Sequence, residues 1–259
     1  MLIEMENIFT FTVEQDKILY RSREVSEAEL NNPHSSISAE TIDGNITFNG
    51  FDKFDSKEPP LSMGAAGRNN LEGVSYLYVA DDPYTACAEI RPKVHAVISL
   101  GQFKALKQLN LFNFSDDVTI PNFDDYSIED ISEIRTITRI LFQFTKPVYN
   151  PKNYLPSQYI SDFIRKNGYD GIAYRSMFSS GRCYTLFNCG ESYIKFIKSE
   201  LVLSRVPEYH IYLLNDGVKL HPPEGFDDEI NPSTKTISDQ KYNLCQQIKR
   251  TKDKETISE

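Results

Sequence analysis

The 259-residue chain contains no tryptophan and only four cysteines, at 87, 183, 189 and 245, none of them spaced in pairs for zinc. An unsignalled chain of that kind is expected to keep free thiols, so disulfides and structural zinc are not expected. Its four histidines, His34, His95, His210 and His221, fall in no metal spacing and join no nucleophile motif, which leaves no metal site to predict. Long apolar runs are missing too: none approaches the roughly 20 residues that span a bilayer. Glu4 and Glu6 stand where a secretory leader would carry lysines. The expectation is a cytoplasmic protein without a membrane partner. Basic residues are in deficit, 28 Lys and Arg against 37 Asp and Glu, for a formal charge of −9. Phosphate backbones are gripped by neutralising them, so this balance argues against direct nucleic-acid binding. A nuclease is further disfavoured by the lack of a metal-carboxylate cluster and of a basic aromatic face.

What the chain does have is apolar mass: 40% hydrophobic residues, with 15 Tyr and 16 Phe. That is enough for one sizeable core. The expected organisation is an N-terminal segment over 1–16, a single domain over 17–214, and a polar tail over 215–259. Apolar density drops from Phe226 onward, which is the mark of such a tail.

Period-two patterning predicts a strand over 17–23, with Leu19, Arg21 and Arg23 on one face. Two arginines on one strand face are unusual in a core. Residues 31–60, polar and punctuated by Gly44, Gly50, Pro59 and Pro60, read as irregular. Further strands are expected at 75–80, 95–100, 172–176, 183–188, 195–206 and 209–214, and a loop at 115–127. Apolar residues recurring at threes and fours predict helices over 128–144 and from Ser157 to Ile164, the second capped by Asn167-Gly168. Strands and helices mix without regular alternation, so the fold class is α+β.

The densest concentration of chemistry lies in residues 67–92, GRNNLEGVSYLYVADDPYTACAEIRP. A strand there alternates its faces, so Tyr76 and Tyr78 share one and Leu77 and Val79 the other. Asp81-Asp82-Pro83 opens a short helix that Arg91-Pro92 closes, leaving Glu89 in its last turn. From the residues alone Glu89 reads as a solvated helix carboxylate, and Cys87, between Ala86 and Ala88, reads as a small apolar residue.

Five segments in order carry a pattern: Leu19-Tyr20-Arg21, Gly67-Arg68-Asn69-Asn70, Leu77-Tyr78-Val79-Ala80, Thr85-Ala86-Cys87-Ala88-Glu89-Ile90-Arg91-Pro92, and Gly168 to Ser176, GYDGIAYRS. Together, over roughly residues 17–190, they resemble the RES-domain family. The resemblance implies a fold similar to ADP-ribosyltransferases and a toxin that consumes NAD. It further implies neutralisation by a DNA-binding antitoxin of the Xre type. By position, Glu89, Arg21 and Ser176 correspond to the trio that names the family, with Arg68, Tyr78, Arg23 and Asn70 as substrate-binding residues. The chain departs from the pattern at Cys183, where relatives often carry Asn, and it runs well past Phe187.

Under that resemblance the reaction breaks the bond between nicotinamide and ribose through an oxocarbenium-like centre, as in glycoside cleavage, with water or phosphate as acceptor. NAD is then a substrate, and no other cofactor is implied. Arg21 and Arg68 suit a pyrophosphate because a guanidinium can grip phosphate oxygens bidentately. Glu89 suits the ribose, where positive charge develops. Ser176 suits a contact to nicotinamide or ribose, and Tyr78 offers an aromatic wall. The alternatives are ADP-ribosyl transfer to a macromolecule and a non-catalytic nucleotide- or partner-binding module.

Overall fold

The computed structural model describes residues 6–42, 45–58, 65–115, 126–146, 154–204, 211–212, 219–220 and 243–249. Ten strands form one mixed sheet: β1 (Thr10–Val13), β2 (Ile18–Glu24), β3 (Ser38–Ile42), β4 (Asn45–Asn49), β5 (Leu77–Ala80), β6 (Val97–Ala105), β7 (Leu109–Asn113), β8 (Gly171–Arg175), β9 (Arg182–Leu186) and β10 (Ile194–Leu203). Their order is β1-β7-β8-β9-β5-β2-β6-β10-β4-β3. Among the described residues only β7 and β8 pair in parallel. A separate pair, β11 (Ile211–Tyr212) and β12 (Lys219–Leu220), is antiparallel. The helices are α1 (Glu6–Phe9), α2 (Glu27–Leu30), α3 (Lys53–Ser56), α4 (Pro83–Glu89), α5 (Ile128–Gln143) and α6 (Leu155–Lys166). Among the described residues none is long and apolar enough to cross a membrane.

The α+β class follows from this arrangement. Ala86 of α4, Ile134 and Leu141 of α5 and Ile164 of α6 pack in one cluster with Leu100, Phe112, Ile172 and Tyr174 of the sheet. A second cluster, with Leu19, Leu77, Val79, Phe103, Leu111, Ala173 and Tyr184, fills the other face. A third gathers Val25, Leu30, Ile37, Phe51 and Ile248 at the β3–β4 end.

Several elements differ from the sequence reading, each for a physical reason. Residues 31–60, expected to be irregular, contain the β3–β4 hairpin, which pairs in register from Ser38↔Asn49 to Ile42↔Asn45. Asp43-Gly44 between them is the residue pair that favours a tight hairpin turn, a signal available in the sequence. The N-terminal segment supplies β1, paired with β7 from Thr10↔Phe112 to Val13↔Leu109. Within the segment read as a polar tail, residues 243–249 are helical, and Leu244 and Ile248 pack into the third cluster. The strand expected from His95 starts at Val97 because His95 holds a left-handed backbone, φ 63°, which no strand accommodates. The stretch past Phe187 is integral: β10 lies between β6 and β4. The loop expected at 115–127, and the strand at 209–214 apart from Ile211 and Tyr212, fall largely outside the described residues.

The two long helices form where the apolar period placed them, but not always on the expected face. Helix α5 starts at a capping box made by Ser127 and Asp130, and it buries Ile134, Thr138 and Leu141 while Ile128 stays exposed. On α6 the polarity is reversed. Ser157, Gln158, Ser161 and Ile164 face inward, whereas Leu155, Tyr159 and Phe163 are exposed.

Candidate active site

Helix α4 delivers Glu89. The Asp82 side chain accepts the Thr85 amide at 2.9 Å and Pro83 occupies the first turn, so the start of the helix is set by local chemistry. It ends after seven residues at Ile90, and Arg91 follows in a left-handed conformation, φ 48°. Glu89 therefore sits at the carbonyl end of the helix, where the dipole disfavours a carboxylate by about 0.3–1 kcal/mol and no basic residue stands in the last turn to offset it. A donor from the end of β8 does: Ser176 Oγ donates to Glu89 Oε1 at 2.6 Å. The Phe178 amide donates to Ser176 Oγ at 3.0 Å, which leaves the Ser176 proton for Glu89.

Cys183 and Tyr174 face each other across β8 and β9. Burial, followed by the Glu89 charge, pushes the Cys183 thiol far above its ordinary range, so it is a proton donor and not a thiolate. Tyr174 is also held well above the usual phenol range, first by burial, with the Arg68 charge opposing. The Arg68 guanidinium lies 5.6 Å from the Tyr174 ring centroid. Glu89, Ser176, Cys183, Tyr174 and Arg68 thus form one cluster containing both signs of charge.

Arg68 enters from a turn held on all sides. Its Nη1 donates to the carbonyls of Phe144 at 2.8 Å and Lys146 at 3.2 Å, at the C-terminal end of α5. Gly67 is required there, because a Cβ would come within 2.4 Å of Asn70 Oδ1 and 3.0 Å of the Tyr78 hydroxyl oxygen. Gly67→Ala is expected to lower the midpoint of denaturant unfolding by the equivalent of about 1–3 kcal/mol, the cost of overpacking a rigid site. An unchanged midpoint would show that the turn yields freely.

Tyr78 and Asn70 stand behind this turn. Tyr78 donates its hydroxyl to Asn70 Oδ1 at 2.7 Å and accepts the Asn69 amide at 3.2 Å. Burial pushes its phenol up, so it stays protonated. The Asn70 amide nitrogen is spent on the carbonyls of Ala65, Leu71 and Val74 at 2.9, 3.2 and 2.7 Å. With both ends of its amide occupied and only 4% of the residue exposed, Asn70 buttresses the turn that carries Arg68.

Arg21 and Arg23 are not brought together with Glu89. Alternation along β2 sends Ser22 to the α4 side, its Oγ 3.2 Å from Cys87 Sγ, and Arg21 to the opposite face. Arg21 Nη1 donates to the Ser56 carbonyl at 2.8 Å, and burial with the neighbouring Arg23 charge lowers its pKa to about 10. Arg23 pairs with Glu29 and lies 4.2 Å from the Phe51 ring centroid. Pairing of β2 with β5 is confined to Tyr20↔Ala80, whereas pairing with β6 runs on to Glu24. The sheet is thus split beside Arg21.

The RES-domain family model matches residues 47–206. The chain belongs to the RES-domain family. The matched residues of this RES-domain protein include Arg68, Tyr78, Glu89 and Ser176, exclude Arg21, and extend past Phe187 through β10. Among solved structures, a chain of the M.tuberculosis MbcT-MbcA toxin-antitoxin complex is similar at 12% identity and TM-score 0.41, over 78% of this chain and 91% of that one. No curated protein matches.

Several members of the cluster were not anticipated. Tyr174 and Cys183 contact the charged groups of the site, and Asn69, Ser157, Gln158, Ser161 and Thr185 hold the turn. The pattern Tyr174-Arg175-Ser176 did place an alternating tyrosine next to the strand-end serine, which is the one sequence signal for Tyr174. Among the described residues no group of three His, Cys, Asp or Glu side chains could hold a metal ion.

Proposed function

We propose that this RES-domain protein is a toxin that cleaves the bond between nicotinamide and ribose in NAD, with water or phosphate as acceptor. The observation that carries this reading is the Ser176–Glu89 pair at 2.6 Å, set in one cluster with the Arg68 cation. Family membership supports the substrate class.

In the proposed reaction the nicotinamide nitrogen takes the electron pair of its bond to ribose C1′ and leaves as a neutral molecule. Positive charge develops on the ribose. Glu89, held by Ser176, hydrogen-bonds a ribose hydroxyl and stabilises that charge, an effect realised mainly in the transition state. Water or phosphate then adds its oxygen to C1′, and for water the surplus proton is released to solvent. Arg68 takes the pyrophosphate with the guanidinium edge that is not on the α5 carbonyls. Arg21, across the split in the sheet, is assigned a second cationic contact to the same ligand. Tyr78 and Asn70 hold the turn, and Tyr174 walls the pocket. A cognate antitoxin, DNA-binding and of the Xre type, is the proposed partner, and the cytoplasm the proposed site of action.

Purified protein mixed with NAD is expected to release nicotinamide. Free ADP-ribose as co-product identifies water as the acceptor, a phosphorylated ADP-ribose formed only in phosphate buffer identifies phosphate, and label transferred to protein or nucleic acid in extract identifies macromolecular transfer. No loss of NAD under any of these conditions overturns the enzymatic reading in favour of a binding module.

A further inference from the structure

Three of the four buried residues of α6 are polar, and the fourth, Ile164, packs in the first apolar cluster. Ser157, Gln158 and Ser161 are 2%, 6% and 0% exposed, while Leu155, Tyr159 and Phe163 on the outer face are 60%, 77% and 47% exposed. A helix packed for stability alone does the reverse, because burying an amide or a hydroxyl costs free energy unless every polar atom finds a partner. Here partners are found, and most belong to one turn. Gln158 Nε2 donates to the Gly67 carbonyl at 2.8 Å and the Asn70 carbonyl at 3.0 Å. Ser157 Oγ lies 2.6 Å from the Arg68 carbonyl and 2.9 Å from the Tyr154 carbonyl, and Ser161 Oγ lies 2.7 Å from the Ser157 carbonyl and 3.2 Å from Asn69 Oδ1, so each hydroxyl shares its proton between the turn and its own helix. Asn69 in turn donates from Nδ2 to Thr185 Oγ1 on β9 at 2.7 Å. Each residue from Gly67 to Asn70 is therefore tied to α6, and Asn69 ties the turn to the sheet.

We infer that Gln158, assisted by Ser157 and Ser161, is a positioning residue for Arg68. Helix α6 sets the affinity for the phosphate-bearing part of the substrate without touching it. The inference rests on the reading of Arg68 as the pyrophosphate ligand. Its physical basis is that a guanidinium on a long side chain gains little from a phosphate unless its backbone is already fixed, since ordering it on binding would consume the gain. The two ties of Arg68 are complementary: α5 carbonyls orient the guanidinium, and α6 holds the backbone that carries it.

The test is Gln158→Met, which keeps the volume and removes both donors. The KM for NAD is expected to rise about 5- to 20-fold, the range for losing one or two buried hydrogen bonds, with kcat within about twofold. A helix that merely supports the fold would instead lower the active fraction, so kcat would fall and KM would stay. The second arm is the cycle with Arg68→Ala: in that background Gln158→Met is expected to leave KM unchanged, because the two act through one contact. A KM shift that persists undiminished in the Arg68→Ala background overturns the inference, as does a KM unmoved by Gln158→Met. Should Gln158→Met fail to fold, Ser161→Ala carries the same expectation at about 2- to 5-fold, for a single neutral hydrogen bond. If Arg68→Ala itself leaves KM unchanged, the phosphate reading fails first. If Arg68→Ala raises KM and Gln158→Met does not, only the role of α6 fails.

Discussion

Glu89→Gln is expected to slow nicotinamide release by about 10²–10³-fold at saturating NAD, the range found when one preorganised electrostatic group is removed from a transition state. Gln keeps the size of the side chain and an oxygen that can accept from Ser176, so the cluster survives while its charge is lost. Stability should hardly move. Removing a carboxylate from the carbonyl end of α4 is favourable, and weakening a charge-assisted hydrogen bond is unfavourable by a similar amount. The melting temperature is therefore expected to stay within about 3 °C. A variant that retains more than a tenth of the wild-type rate would remove Glu89 from the mechanism. A variant that loses activity along with its fold would show that the carboxylate serves structure instead.

Arg68→Ala should act on binding. Losing a charge-assisted contact of about 1.5–3 kcal/mol corresponds to roughly a 10- to 150-fold rise in the KM for NAD. The rate at saturation is expected to change far less, since the pyrophosphate contact is present before and during bond cleavage. Arg68→Lys is expected to recover only part of the loss. It restores the charge, but a single ammonium cannot serve the α5 carbonyls at 2.8 and 3.2 Å and a phosphate with the geometry of a planar fork. Equal KM values for wild type and Arg68→Ala would dismiss this residue from the site. A collapse of kcat without a change in KM would instead place Arg68 at the reacting bond.

Local chemistry was legible where it is self-contained. Asp82 and Pro83 announce α4, the three-to-four apolar spacing from Ile128 announces α5, and Glu89 falls in the last turn as the spacing requires. Those signals depend on residues within one or two turns of each other. The face that an element turns to the core is another matter. The apolar stripe of α6 was legible as a helix, yet Tyr159 and Phe163 point outward, because the turn at 67–70 offers the inner face hydrogen-bond partners that no apolar residue can use. Likewise the two arginines of β2 were legible as unusual, but not that their face of the sheet lies opposite the one that carries α4 and Glu89.

The sequence by itself determined the class of fold, the family, and the identity of Glu89, Arg68 and Ser176 as candidates, since each lies in a short motif whose spacing is written along the chain. Only the tertiary structure decided which of them meet. The Ser176–Glu89 bond joins positions 87 residues apart, Cys183 turns from a departure in the pattern into a buried thiol that feels the Glu89 charge, and the Asn70 amide closes the turn that carries Arg68. The reason is physical. Hydrogen-bond donors and acceptors are matched by distance in space, and strand pairing across β5, β9 and β8 sets those distances through contacts that no local spacing encodes.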